Sequence, residues 1–241
     1  TLNRPDALNA LSFSLIAQLG RVLDEVAQSD ARALLITGAG DKAFCAGADI
    51  KELTGRSLLA QKRGAEVGQA TFSNLERLPM PSIALINGYA FGGGLELALA
   101  CTLRIATRNA KMGLPEIKLG LIPGYGGTQR LPRAVGEGRA LDMILTGRTI
   151  DAEEAYRIGL VQRLIEGDAM AQGVAYAREL AGYSLPVLAL AREAVSRAGA
   201  TPLNEGLKIE ADLSTLAFQT RDAAEGMAAF IEKRKPKFNE S

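Results

Sequence analysis

Histidine and tryptophan are absent from this chain of 241 residues. Without histidine, the chain cannot build a Ser-His-Asp triad, a Cys-His nucleophile or a histidine-ligated metal site. Chemistry must therefore come from carboxylates, lysine, tyrosine, serine or backbone groups, and we expect no metal. Cysteine is also scarce: Cys45 and Cys101 are too few for a disulfide framework, which favours a reducing compartment.

The chain also lacks an excess of either charge and has no long apolar run. Lys and Arg number 28 against 27 Asp and Glu, so the net charge of +1 attracts neither nucleic acid nor an anionic membrane. Apolar stretches such as 185–191 fall far short of the roughly 18 residues of a membrane span. We therefore expect a soluble globular protein of the cytoplasm, or of the mitochondrial matrix if a transit segment was removed. Because Thr1 follows no methionine or signal pattern, we expect the chain to begin inside a domain.

The hydrophobic pattern predicts an α/β protein whose last part is helical. Short apolar runs predict buried strands, and apolar residues three or four positions apart predict helices. The predicted strands are 33–37, 82–87, 103–107 and 160–165. The main predicted helices are 8–26, 55–78, 95–101, 151–158, 168–182, 186–198, 203–218 and 222–234. Strand, glycine turn and helix recur with short connections, which favours a buried sheet crossed by helices.

Three consecutive glycines, Gly92 to Gly94, precede the predicted helix 95–101. Glycine is costly there because it loses more backbone entropy than alanine on folding, so the position must need close backbone approach or unusual dihedral angles. Exposed N–H groups at a helix start bind negative charge, which predicts an oxyanion site. A tight turn required for packing alone is the alternative. Neither G-x-G-x-x-G nor G-x-x-x-x-G-K-[ST], the nucleotide fingerprints, occurs in the chain.

Two acidic residues stand alone among apolar neighbours. Glu96 lies within the run 95–101, where an ionised carboxylate is costly unless it is paired, hydrogen-bonded or ready to transfer a proton. Glu116 follows Pro115, a residue that suits a helix start. We interpret both as functional carboxylates. The alternatives are a solvated helix edge for Glu96 and a first-turn contact with the helix dipole for Glu116.

Two further turns are candidates for ligand contact. The small residues at 45–48 would let a ligand approach the backbone, Asp49 could cap the following helix, and Lys51 could meet a phosphate. We interpret Cys45 as a small apolar filler, because no histidine is available to activate its thiolate. The glycine-rich turn 122–130 opens a helix, and we interpret it as an active-site wall shaped by close backbone packing, with phosphate binding as the alternative.

Ordered motifs with matching spacing cover nearly the whole chain. They are Leu2-Asn3-Arg4-Pro5, Leu8-Asn9-Ala10-Leu11, Ala46-Gly47-Ala48-Asp49-Ile50-Lys51, the stretch 87–97, Leu114-Pro115-Glu116, the stretch 123–131, Leu145-Thr146-Gly147 and Ala229-Phe230-Ile231-Glu232-Lys233-Arg234. In this order they closely resemble the enoyl-CoA hydratase (crotonase) family, whose opening strand would lie mostly before Thr1. One departure is Thr102, because Cys-Asp is usual in the family at 101 and 102; it bears on local packing or capping more than on chemistry.

The resemblance implies an α/β spiral of ββα units, with residues 1–184 as the catalytic core and 185–241 as a helical C-terminal region. That region would build a homotrimer or homohexamer. The backbone N–H groups of Ala48 and Gly93 would form an oxyanion hole for a thioester carbonyl. The residues implied at the coenzyme A site are Ala46, Ala48, Asp49, Ile50, Lys51 and Gly93. Coenzyme A belongs to the substrate, so no separate cofactor is implied.

Glu96 and Glu116 match the family's two catalytic acids, which implies reversible hydration of a 2-trans-enoyl-CoA in fatty-acid β-oxidation or aromatic-acid breakdown. Glu96 would orient and deprotonate water, and Glu116 would deliver the proton to Cα. A Δ3,Δ2-enoyl-CoA isomerase needs only one acid, so retention of both disfavours that activity. An RNA-binding or silent member of the fold is disfavoured by the net charge of +1 and by a first helix whose only basic residue is Arg21.

Overall fold

Eight strands form two sheets in the computed structural model, which describes residues 1–239. The strands are β1 (Leu34–Thr37), β2 (Ala43–Cys45), β3 (Ser82–Ile86), β4 (Tyr89–Phe91), β5 (Leu103–Thr107), β6 (Lys111–Gly113), β7 (Ile150–Asp151) and β8 (Arg163–Ile165). The first sheet has the order β1-β3-β5-β8 and is parallel throughout. The second has the order β2-β4-β6-β7, with β7 antiparallel to β6. Each strand pair therefore contributes one strand to each sheet.

Helices follow the strand pairs and fill the C-terminal part. They are α1 (Phe13–Ala27), α2 (Ile50–Leu53), α3 (Leu58–Arg77), α4 (Gly93–Ala100), α5 (Gly127–Val135), α6 (Glu137–Thr146), α7 (Ala152–Arg157), α8 (Ala169–Ala181), α9 (Leu185–Ala198), α10 (Leu203–Phe218) and α11 (Arg221–Ile231). The orders β1-β2-α3, β3-β4-α4 and β5-β6-α5 repeat one ββα unit. This repeat confirms the predicted α/β spiral with a helical C-terminal region. Across residues 1–239, each helix is too short or too polar to cross a membrane.

The helix α4 lies wholly inside the core. Glu96 is its only charged side chain, and every residue of the helix is buried. A helix that is apolar on nearly every side is stable only when other elements surround it. Here the strands β2 to β5 and the helices α3 and α5 pack around α4. The position of the helix therefore holds its single acid away from bulk water.

The parallel strands β2, β4 and β6 carry three sequence motifs to one edge of the second sheet. Ala43 lies beside Tyr89 in the register, and Phe91 lies beside Gly113. Because parallel strands end on the same side of a sheet, the segments that follow them leave it close together. These segments are 46–49, 92–94 and 114–116. The fold thus brings two small-residue turns and one of the two acids to a single place.

The first helix begins later than its hydrophobic spacing predicts. Ser12 caps α1, and its Oγ accepts a hydrogen bond from Leu15 N at 3.1 Å. Before this cap, Leu8 has a φ of 50°, and Leu11 forms a parallel bridge with Ala48. The prediction of a helix from residue 8 is therefore wrong. Leu11 fits the apolar spacing only because it is buried in the core from an extended segment.

The C-terminal helices leave a broad apolar surface. Within α9 and α10 no residue is fully buried, and Val195 and Leu203 are 76% and 78% exposed. Arg192 ties α9 to the core by donating a hydrogen bond from Nη1 to Met80 O at 2.9 Å. The last two residues of the predicted region 185–241 lie outside the described residues, and its boundary stays a prediction. An exposed apolar surface of this kind is typical of a contact face.

Candidate active site

Glycine lets the segments after β2 and β4 touch. A Cβ at Gly94 would lie 2.0 Å from Cys45 O, and a Cβ at Gly47 would lie 3.1 Å from Phe91 O. Gly47 has a φ of 109° and Gly92 has a φ of 49°, both in the region that favours glycine. The glycines are therefore required for close backbone approach and for unusual dihedral angles, as the sequence predicts.

Two backbone N–H groups at this contact are available to a ligand. Within residues 1–239, neither Ala48 N nor Gly93 N donates a hydrogen bond. The bridge to Leu11 uses flanking groups instead: Leu11 N donates to Gly47 O, and Asp49 N donates to Leu11 O, both at 2.8 Å. Gly93 opens α4, so its N–H has no partner in the first turn. A Cβ at Gly47 would lie 3.8 Å from Gly93 N, so the two donors stand on neighbouring segments, which suits an oxyanion.

Glu96 is a buried carboxylate with two backbone donors. Only 1% of the residue is exposed. Its Oε1 accepts hydrogen bonds from Tyr125 N at 2.8 Å and from Gly127 N at 2.7 Å. Burial raises the pKa of Glu96, whereas these two amides and the positive charge of Arg130 act in the opposite direction. The alternative of a carboxylate at a solvated helix edge is wrong.

Glu116 lies in a short 3-10 turn, Pro115–Leu119, directly after β6. It is a first-turn residue, but its carboxyl group is turned towards Gly92, where a Cβ would lie 2.7 Å from Oε1. Its Oε2 is buried and has no hydrogen-bond partner among residues 1–239. Burial raises the pKa of Glu116 to about 7, and the negative charge of Glu96 adds to that rise. An unpartnered buried oxygen favours the protonated acid.

The two acids have environments that suit different tasks. Donated hydrogen bonds stabilise the anion of Glu96, whereas the described residues supply no such bond to Oε2 of Glu116. The negative charge of Glu96 raises the pKa of Glu116, so ionisation of Glu96 favours the protonated form of Glu116. A carboxylate beside a carboxylic acid can take one proton and give another.

Tyr125 is a site residue that the sequence identifies only as part of a wall. Its ring packs edge-on against Phe72, with the ring centroids 5.6 Å apart. It also covers Gly93, where a Cβ would lie 3.2 Å from Cδ2 of the ring, and a Cβ at Gly68 of α3 would lie 2.3 Å from Cδ1. The turn 122–130 therefore packs closely against the start of α4 and against α3, and its role as an active-site wall stays a prediction. Its amides bind the carboxylate of α4, which removes the basis for the phosphate alternative.

The residues predicted to contact coenzyme A lie around the start of α2 and beside Gly93. In chain order they are the half-buried Ala46, Ala48 and Asp49, followed by the exposed Ile50 and Lys51. Asp49 makes no cap bond to α2, because its Oδ2 instead accepts a hydrogen bond from Arg4 Nη2 at 3.0 Å. Asp49 thus stands at the N-cap position of α2, as predicted, but its side chain does not cap the helix. Contact of these residues with coenzyme A stays a prediction.

Cys45 and Thr102 have packing roles. Cys45 is fully buried, and burial raises the pKa of its thiol to about 12, so the thiol stays protonated and acts as a filler. Thr102 N donates a hydrogen bond to Ser82 Oγ at 3.0 Å, and Thr102 Oγ1 accepts one from Ser82 N at 3.2 Å. These bonds hold the end of α4 against β3. Over the described part of the chain, no group of three or more acidic or thiol side chains is placed to hold a metal ion.

Comparison with known proteins finds one family. Its model, described as enoyl-CoA hydratase/isomerase, matches residues 1–241. A probable enoyl-CoA hydratase of Mycobacterium bovis is 48% identical over 240 residues, which are 99% of this chain and 92% of that protein. A crotonyl-CoA hydratase of Syntrophomonas wolfei is 41% identical over 242 residues, covering 98% of this chain and 92% of that protein. The likeness therefore extends over nearly the full length of both chains.

The backbone agrees with that of a solved relative. A crystal structure of an enoyl-CoA hydratase from Bacillus anthracis matches with a TM-score of 0.94 at 41% identity, and the match covers 99% of this chain and 93% of that one. The motifs, the ββα repeat and the full-length similarity thus agree with one another. The chain belongs to the enoyl-CoA hydratase/isomerase family.

Proposed function

We propose that this protein catalyses the reversible hydration of a 2-trans-enoyl-CoA to a 3-hydroxyacyl-CoA. The observation that carries the proposal is the presence of two acids, Glu96 and Glu116, at a contact that also offers two free backbone N–H groups. Hydration needs one group to take a proton from water, one to give a proton to Cα, and donors for the thioester oxygen. The names of the relatives support the same reaction.

The oxyanion hole consists of Ala48 N and Gly93 N. As the hydroxyl oxygen of water adds to Cβ, the electrons of the double bond move into the thioester, and its carbonyl oxygen becomes that of an enolate. The two N–H groups then donate to a negatively charged oxygen. Loss of one such donor typically costs about 10²- to 10³-fold in rate.

Two proton transfers complete the reaction. Glu96 takes the proton that water loses, and its two amide donors hold the carboxylate in place for this step. Glu116 gives its proton to Cα as the enolate collapses. The two carboxyl groups have then exchanged protonation states, so a proton must pass from Glu96 back to Glu116 before the next turnover. Both acids can hold the same water, which provides a path for that return.

The coenzyme A part of the substrate would bind along the start of α2. Backbone groups of Ala46 and Ala48 would face the pantetheine and adenine portions, and Lys51 would meet a phosphate. Asp49 and Ile50 would complete this wall, and Gly93 would close it at the thioester. Neither a metal nor a redox cofactor has a part in this reaction.

The test is a crotonyl-CoA assay with chelator present, read as loss of the conjugated absorbance. We expect turnover without added metal or nicotinamide. The rate should rise with pH as Glu96 ionises and fall as the pH passes the pKa of Glu116, about 7 in the free enzyme. Activity that appears only with added metal or nicotinamide contradicts the proposal. Rapid formation of conjugated product from a 3-enoyl-CoA, without hydration, would assign the isomerase reaction instead.

Assembly is expected to cover the apolar surface of the C-terminal helices. Leu207, Leu216 and Phe218 of α10 are all more than half exposed, and one small helical layer cannot hide them. Closed cyclic assembly buries such faces in equivalent contacts that repeat around the ring. We therefore expect a homotrimer or homohexamer in light scattering at micromolar concentration. A monomer under those conditions contradicts this expectation.

A further inference from the structure

Arg130 of α5 links the Tyr125 loop to α3. Its Nη1 donates a hydrogen bond to Tyr125 O at 3.0 Å. On the other side, Nε donates to Glu76 Oε1 at 2.6 Å and Nη2 donates to Ser73 Oγ at 3.2 Å. The Arg130 side chain is only 16% exposed, whereas that of Glu76 is 49% exposed, so the guanidinium is mostly covered and its carboxylate partner lies at the surface. One guanidinium therefore joins the carbonyl of the loop to two side chains of a long helix.

Glycine 126 makes this link sterically possible. Gly126 has a φ of 114°, and a Cβ on it would lie 2.1 Å from Arg130 Nη1. A second tie comes from Gln69 of α3, whose Nε2 donates to Gly124 O at 2.9 Å. Gly126 thus admits the side chain of Arg130 to the loop backbone. The glycine-rich turn 122–130 indicates close packing in the sequence, and the structure identifies Arg130 as a partner of the loop backbone.

The same loop supplies both amide donors of Glu96. Arg130 donates a hydrogen bond to the backbone carbonyl of Tyr125. The backbone N–H groups of Tyr125 and Gly127 donate to Glu96 Oε1. A shift of the loop would therefore lengthen both hydrogen bonds to the carboxylate together. Misplacement of a reacting group by about 1 Å can cost about 100-fold in rate.

The charged groups that act on Glu96 come from three directions. Arg130 on α5 favours the ionised carboxylate of Glu96, and that negative charge in turn raises the pKa of Glu116 after β6. Tyr125 and Cys45 are neutral near pH 7 because burial raises the pKa of each. From α3, Glu76 pairs with the guanidinium and partly offsets its charge. Arg130 is thus the cation that opposes the effect of burial on this acid.

We infer that Arg130 is a positioning residue for the hydration reaction: it holds the Tyr125–Gly127 loop so that both amides meet the carboxylate of Glu96. The catalytic part of this inference rests on the proposed function. The structural part, a clamp between α3 and the loop, does not. The two parts therefore need separate measurements.

The experiment compares Arg130→Gln and Arg130→Lys with Arg133→Gln, a matched change of an exposed arginine on the same helix. In Arg130→Gln, kcat should fall about 10- to 100-fold with little change in KM. The low-pH limb of kcat/KM should move to higher pH, because removal of a nearby cation raises the pKa of Glu96. Arg130→Lys retains the positive charge but not the guanidinium group, which donates to Tyr125 O, Glu76 and Ser73. Its kcat should therefore fall, while the low-pH limb of kcat/KM stays near the wild-type position. Arg133→Gln should match the wild type.

Amide hydrogen exchange at Tyr125 and Gly127 measures the clamp without reference to activity. We expect faster exchange at these two amides in both Arg130 variants and unchanged exchange in the core of α4. The inference is overturned if, in Arg130→Gln, amide exchange at Tyr125 and Gly127 and the low-pH limb of kcat/KM both stay at their wild-type values. If that variant does not fold, unchanged kcat and exchange in Arg130→Lys overturn it equally. If the Arg130 variants exchange faster but the wild-type protein has no hydratase activity, the clamp is supported and the proposed function is refuted.

Discussion

Replacement of Glu116 or Glu96 by glutamine should abolish most turnover and leave substrate binding nearly intact. Glutamine keeps the size of the side chain and an oxygen acceptor, but it cannot exchange a proton. For Glu96, the amide oxygen can still accept from Tyr125 N and Gly127 N, so the local fold should persist. A positioned acid or base contributes about 10²- to 10⁴-fold to rate, and we expect each variant to lose that much in kcat.

The measurement combines kcat for crotonyl-CoA with calorimetric binding of the product thioester. Glu137→Gln, which changes an exposed acid on α6, is the matched control and should behave as the wild type. Glu96→Gln with nearly full hydration activity, beside an inactive Glu116→Gln, would support a one-acid reaction of the isomerase type. A folded variant of Glu116 with normal kcat would remove it from the mechanism. If either variant loses its circular dichroism, that carboxylate is structural.

Substitution of Gly94 by alanine should lower the free energy of unfolding more than any of the other proposed substitutions. The new Cβ would lie 2.0 Å from Cys45 O and 2.8 Å from Cys45 Cβ, in a buried contact between the end of β2 and α4. The obstacle is backbone, so no side-chain rotation relieves it. Overpacking of this kind costs typically about 1–3 kcal/mol and more where the backbone must move, and we expect at least the upper end of that range.

Gly138 of α6 provides the matched control for that substitution. No atom lies within 4 Å of the position of its Cβ, so Gly138→Ala should stabilise the protein by about 0.4–1 kcal/mol through the unfolded state. Urea denaturation of the two variants measures the difference. Equal urea midpoints for Gly94→Ala and Gly138→Ala would contradict the prediction, because they would show that the contact between α4 and β2 can accommodate an extra methyl group.

Long periodic segments could be predicted closely from the sequence. The bounds of β5 and α10 agree with the predicted 103–107 and 203–218, because an apolar run or a regular spacing extends over the whole element. The second sheet could not be predicted in this way. Its strands β2, β4 and β6 have three residues each, too few for a period-2 pattern to be recognised. Their pairing nevertheless decides where the site forms.

The candidate site was predictable in its acids and less so in their partners. Glu96 and Glu116 stand out in the sequence because each is a lone acid among mostly apolar neighbours. The donors of Glu96 lie 29 and 31 residues away, at Tyr125 and Gly127, and only the packing of α5 on α4 brings them together. The glycines around Tyr125 indicated close packing, but not that the partners would be a carboxylate and an arginine.

A double-mutant comparison of kcat tests most directly whether the two acids act together on one substrate. Single and double glutamine variants at Glu96 and Glu116 are assayed with crotonyl-CoA at one pH, with folding checked by circular dichroism. If both acids serve one coupled proton transfer, the double variant should be little slower than the slower single variant. Losses that multiply, or a single variant that keeps wild-type kcat, would contradict the two-glutamate mechanism.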